Sequence, residues 1–157
     1  MKRLAAFVFL CACSSSTPAA PPKCDIVTSG DLDASSELTA CAALQTDDAG
    51  TTSLVIDTTT AELGRVHVSI DVSAAPSGGS LSAQTTDTWD AIETGLGDAG
   101  CAYQAGSDVV PHGNFSLEWT QSDAGAPHGT IDVTLAVHAP PGSSCGASDV
   151  EYLHITF

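Results

Sequence analysis

Basic side chains are scarce: 4 Lys and Arg stand against 19 Asp and Glu in 157 residues, a formal net charge of −15. A surface this negative repels phosphate backbones and anionic headgroups, which argues against nucleic acid as a partner. Aromatics make up only 5% of the chain. That excludes the aromatic girdles of an outer-membrane barrel, even though the ending Leu153-His154-Ile155-Thr156-Phe157 alternates and finishes in an aromatic as barrel strands do. Paired ligand spacings are also missing. There is no C-x-x-C and no H-x-H or H-x-x-x-H, so zinc and histidine-metal chemistry have no sequence support. Long helical periods are absent, and the apolar run Leu4 to Leu10 is seven residues, far too short to span a bilayer.

What that run does fit is a leader. Lys2 and Arg3 precede it and the small residue Ala12 follows, directly before Cys13. Leu10-Cys11-Ala12-Cys13 resembles the bacterial lipoprotein signal, with an aliphatic residue three before a cysteine and a small residue just before it. Cys11 is a less usual middle residue of that motif. The resemblance covers the first thirteen residues alone and implies cleavage after residue 12 and acylation of Cys13. Several acyl chains make a lasting anchor, each buried methylene contributing about 0.8 kcal/mol. Ser14 stands where an aspartate signals inner-membrane retention in Gram-negative lipoproteins, so the resemblance points to the outer membrane. Ser14 to Lys23, with three prolines and no apolar periodicity, reads as a tether that holds residues 24–157 off the membrane.

Without residues 1–12, Lys23 and Arg65 remain against 19 acids, a balance of −17. Such a surface keeps a protein soluble, and it would also concentrate divalent cations or positively charged partners. Residues 24–157 suffice for one domain with a core. Four cysteines lie there, Cys24, Cys41, Cys101 and Cys145. In an exported chain they read as two disulfides with three connectivities, of which Cys24–Cys41 and Cys101–Cys145 are favoured because the first closes a short loop.

Turn residues divide this region into short alternating strands. Val66, Val68, Ile70 and Val72 alternate with His67, Ser69, Asp71 and Ser73; Phe115, Leu117 and Trp119 alternate with Ser116, Glu118 and Thr120. Ile131 to Val137 and Leu153 to Phe157 repeat the pattern. Residues 24–28, 53–60, 81–86 and 101–105 read as further strands. Residues 35–45 fit a short helix or an irregular segment, and 89–96 a short helix or bend. The expectation is an antiparallel β-sandwich of about eight short strands.

Candidate sites follow from residue chemistry. Gly142-Ser143-Ser144-Cys145-Gly146 matches G-x-S-x-G, but prolines precede it, no helix follows, and Cys145 is better used in a disulfide, so a small hydrolase through Ser144 ranks last. Asp31 and Asp33 open like an EF-hand loop, which Ser36 and Ala42 then break. A different calcium loop around Asp87, Asp90 and Asp98 remains open, against the ordinary use of aspartate in turns. His67, His138 and His154 fall on polar strand faces, and His112 and His128 sit beside glycine in loops. Trp119 alternates with core residues, leaving Trp89 as the candidate sugar platform. The expected function is a non-enzymatic binding, adhesive or structural module with a protein or glycan partner. A calcium- or carbohydrate-binding module using Trp89 and the acidic loops is the alternative, and no cofactor or metal ligand set is expected.

Overall fold

The computed structural model describes residues 23–30, 34–39, 41–61, 64–86, 88–94, 102–108, 112–123, 125–138 and 150–157. Eleven strands and no helix occupy them: β1 (Cys24–Ser29), β2 (Ala34–Leu38), β3 (Ala42–Thr46), β4 (Thr52–Thr60), β5 (Gly64–Asp71), β6 (Gly78–Ser82), β7 (Trp89–Thr94), β8 (Ala102–Gly106), β9 (Asn114–Gln121), β10 (Pro127–His138) and β11 (Val150–Thr156). The chain is all-β and antiparallel as expected, but with eleven strands in one curled sheet; the expected strand at 81–86 is β6 at Gly78–Ser82, and residues 83–85 turn. Three of the eleven come from segments read differently: residues 35–45 hold β2 and β3, and 89–96 hold β7. Their ladders explain the difference, because β7 is held between β5 and β8, pairings from distant parts of the chain that override weak local propensity.

All pairings are antiparallel, and they run through one curled sheet in the order β2-β1-β11-β10-β8-β7-β5-β4-β3. Strand β10 is the branch point. Pro127 to Thr134 pairs with β9, and Ala136 to His138 pairs with β8 on the same edge, while the opposite edge takes β11. Strand β6 then adds to β9. The sheet therefore branches at β10 and curls into a half-barrel.

Strict alternation builds that core. Val66, Val68 and Ile70 of β5, Phe115, Leu117 and Trp119 of β9, Ile131, Val133 and Leu135 of β10, and Leu153 and Ile155 of β11 are all buried. Each such side chain stabilises the fold by about 1.5–3 kcal/mol when fully buried. The same alternation buries one acid: Glu151, two positions before Leu153, is 0% exposed on the inner face.

Cys24 and Cys41 are joined, with Cα atoms 5.8 Å apart. The bond joins β1, the second strand of the sheet path, to the residue that precedes β3 at its far end, since Cys24 opens β1 and Cys41 immediately precedes β3, across a sequence separation of 17. Cys101 and Cys145, and with them the second favoured disulfide, lie outside the described residues. Between β3 and β4 the chain turns at Asp47–Gly50: Asp47 Oδ1 accepts from the amides of Ala49 (2.9 Å) and Thr51 (2.8 Å), and Gly50 takes φ 88°. Among the described residues, no helix is long and apolar enough to cross a membrane.

Candidate functional site

The parity that buries Glu151, Leu153 and Ile155 sends Tyr152, His154 and Thr156 to the outer face of β11. Register then assembles the surroundings. One row across the sheet reads Ser29, Tyr152, Thr134, Asn114, and the next reads Val27, His154, Asp132, Ser116. These eight residues, from four strands widely separated in sequence, line a groove of ≈ 490 Å³. Tyr152 is 54% exposed. Among the described residues, the side chains of Asn114, Ser116 and Thr134 make no hydrogen bond within the protein and are left for solvent or ligand.

His154 and Asp132 fix the polar side of this groove. The imidazole Nδ1 donates to Asp132 Oδ1 at 2.6 Å, because a carboxylate can only accept. In the neutral ring this leaves Nε2 as an acceptor, facing the Thr156 hydroxyl at 3.4 Å. Hydroxyl, imidazole and carboxylate are thus connected in the order used for nucleophilic catalysis. Among the described residues, no oxyanion donor accompanies this set. The residues around His154 are paired on both edges of β11, so their amides serve the ladders and none is turned toward a developing oxyanion. His154 and Asp132 side chains are also 48% and 68% exposed, so water is not excluded from the pair. The arrangement orients an imidazole as a hydrogen-bonding group.

A second polar cluster lies on the outer face of β4, β5 and β7. Arg65 grips Asp57 through two bonds, Nε to Oδ1 at 3.2 Å and Nη2 to Oδ2 at 3.1 Å. Hydrogen bonding from Arg65 holds the Asp57 carboxyl below the usual carboxylate range, and the same bond raises the Arg65 guanidinium. His67 stands beside this pair, Nδ1 3.6 Å from Asp57 and Nε2 3.4 Å from Asp90. With carboxylates on opposite sides of the ring, the two cannot converge on one ion through it. Among the described residues, no three His, Cys, Asp or Glu side chains are placed to hold a metal.

The sequence candidates are therefore dispersed. Trp89 is 4% exposed, its ring centroid 4.8 Å from that of Phe115. This corrects its reading as a sugar platform: on β7 it faces inward, and its ring packs in the core. Asp90 lies beside His67 on the outer face of the same strand, turned away from Trp89 by the alternation. Trp119 is a core residue, as its alternation implied, at 2% exposed. His112 and His128 stand at opposite ends of β9, His112 two residues before it and His128 paired with Thr120 near its far end. Cys13, Asp31, Asp33, Asp87, Asp98, Cys101, Ser144 and Cys145 lie outside the described residues. Sequence reasoning missed Tyr152 and Asp132. The usable signal was parity, since each alternates with the buried residues of its own strand. No family model, curated protein or solved structure matches the chain.

Proposed function

We propose that the chain is a non-enzymatic binding module of the bacterial cell envelope, held by acyl chains on Cys13 and engaging envelope material through the groove at Tyr152. In this reading residues 1–12 are removed, residues 13–23 form the tether, and residues 24–157 form one sandwich-like domain branched at β10. The leader, the small residue before Cys13 and the proline-rich segment support the anchoring. Ser14 after the cysteine favours the outer membrane.

The observation that carries the binding reading is the exposed Tyr152 ring at the edge of a groove lined by the polar side chains of Ser29, Asn114, Ser116, Asp132, Thr134 and His154. Sites of this kind combine an apolar contact with a few placed polar groups. The exposed His154 and Asp132, with no oxyanion donor beside them among the described residues, support binding over catalysis.

Two experiments test the reading. In cells, a labelled fatty acid should enter the wild-type protein and not Cys13→Ala, and failure to label wild type removes the anchor. In solution, the full chain carrying Cys13→Ala, which has no acyl chains to insert, should co-sediment saturably with isolated envelopes, and the groove variants are made in that background. Thr134→Arg, which fills the groove beside Tyr152, should abolish that binding, while Gln45→Arg on the exposed face of β3 should not. Equal binding by both variants would remove the groove as the engaging face.

A further inference from the structure

We propose that the groove takes a neutral sugar whose ring stacks on Tyr152; this rests on the reading that the groove is the module's binding face. Three large hydrophobic side chains are exposed among the described residues, Val27, Val150 and Tyr152. They lie together: Val150 and Tyr152 share the outer face of β11, and Val27 is on β1, directly opposite His154. Single exposed apolar residues need no explanation, but a cluster bordering a polar groove marks a contact surface.

The polar groups beside that cluster define the ligand. Ser29 and Thr134 flank Tyr152 on the neighbouring strands, Asn114 follows Thr134, and Ser116, Asp132 and His154 form the next row. Hydroxyls and an amide both donate and accept, and the Asp132 carboxylate, with Oδ1 engaged by His154, keeps Oδ2 as an acceptor. A pyranose matches this set, with an apolar C–H face for the phenol ring and hydroxyls around its edge. At ≈ 490 Å³ the groove lies within the range of about 300–1,000 Å³ seen for small-ligand sites.

Charge narrows the class further. No Lys or Arg lines the groove, and Asp132 does. The chain as a whole carries −15. Phosphorylated, sulfated or uronic-acid polymers would meet a like charge and find no cation to offset it. The ligand class is therefore an uncharged glycan.

The test runs the full-length protein, in neutral detergent, through native gels cast with laminarin, galactomannan or dextran as neutral polymers and polygalacturonate as the anionic one. At least one neutral polymer should retard the wild type, and polygalacturonate should not. Tyr152→Ala should weaken the retarding interaction about tenfold or more, while Tyr152→Phe keeps it, since the ring and not the hydroxyl is the platform. Tyr152 points outward, so unchanged melting separates lost stacking from lost fold. Retardation by polygalacturonate alone, by no neutral polymer, or equally in Tyr152→Ala would overturn the proposal. Envelope binding that persists, and that Thr134→Arg blocks, without any neutral-glycan binding would sink the sugar and keep the module, with a protein in the groove. Loss of envelope binding as well would sink both.

Discussion

His154 Nδ1 lies 2.6 Å from Asp132 Oδ1, a bond between neighbouring strands that fixes the imidazole beside the Tyr152 groove. Because both side chains are largely exposed, the pair adds little to stability, within about 1 kcal/mol. Its consequence is for binding. Asp132→Asn and His154→Ala should melt within a few degrees of wild type yet bind envelopes less tightly, by a factor of about 5–30 for one charged hydrogen bond. Melting curves and co-sedimentation isotherms on the same preparations check both halves.

The Cys24–Cys41 bond links β1 to the start of β3, strands at or next to opposite ends of the sheet path. A crosslink closing a loop of this length stabilises by about 3 kcal/mol through the unfolded state. Cys41→Ser should therefore lose about that much in urea unfolding. A loss near zero would mean that the curl is held by the core alone.

Backbone crowding makes a sharper prediction. A Cβ on Gly129 would stand 2.1 Å from the Glu118 carbonyl oxygen and 2.7 Å from Trp119 Cα, neither of which can swing aside. Gly129→Ala should cost about 2–3 kcal/mol, by overpacking where β9 and β10 meet. Gly50→Ala is the contrast. There the added Cβ meets nothing within 4 Å, and only the φ of 88° is unfavourable, costing about 1–2 kcal/mol. Chemical denaturation of the two variants should rank them in that order.

Asp57 supplies a pH dependence whose sign follows from its pairing. Arg65 lowers the folded-state pKa of Asp57, so the pair's contribution is present above the unfolded carboxylate value near 3.9 and disappears as pH falls through the lower folded value. Asp57→Asn should be less stable than wild type at neutral pH, and the two melting temperatures should converge in acid. A gap that stays constant from pH 7 to pH 2 would mean that the side chain acts through packing instead of charge.

How far all this was legible varies by element. Strands β5, β9, β10 and β11 each carry four or so apolar residues at period two, and such a pattern survives in any context where one face is buried. Among the described side chains of β7, Trp89 and Ala91 face inward and Ile92 is half-buried, too weak a pattern to read without its partners. Strands β2 and β3 are five residues each, at the two ends of the sheet path, and the disulfide between Cys24 and Cys41 helps place them. The groove was less legible still. Val27, Asn114, Asp132 and Tyr152 become neighbours only through the register of β1, β9 and β10 around β11, and local chemistry says nothing about which strands pair. Trp89 was misassigned for a related reason, because the acids flanking it concealed which way a short strand would turn its ring.

The most direct test of the central claim uses the fact that the chain holds 2 tyrosines. Tyr103 is 8% exposed and Tyr152 54%, so ring-selective 13C labelling gives one core reporter and one groove reporter. Solubilised envelope material is titrated in while both signals are followed. The account predicts that the Tyr152 ring signal shifts saturably and that of Tyr103 stays in place. Binding that leaves the Tyr152 ring signal unmoved would contradict it, because the partner would then be engaged by another face.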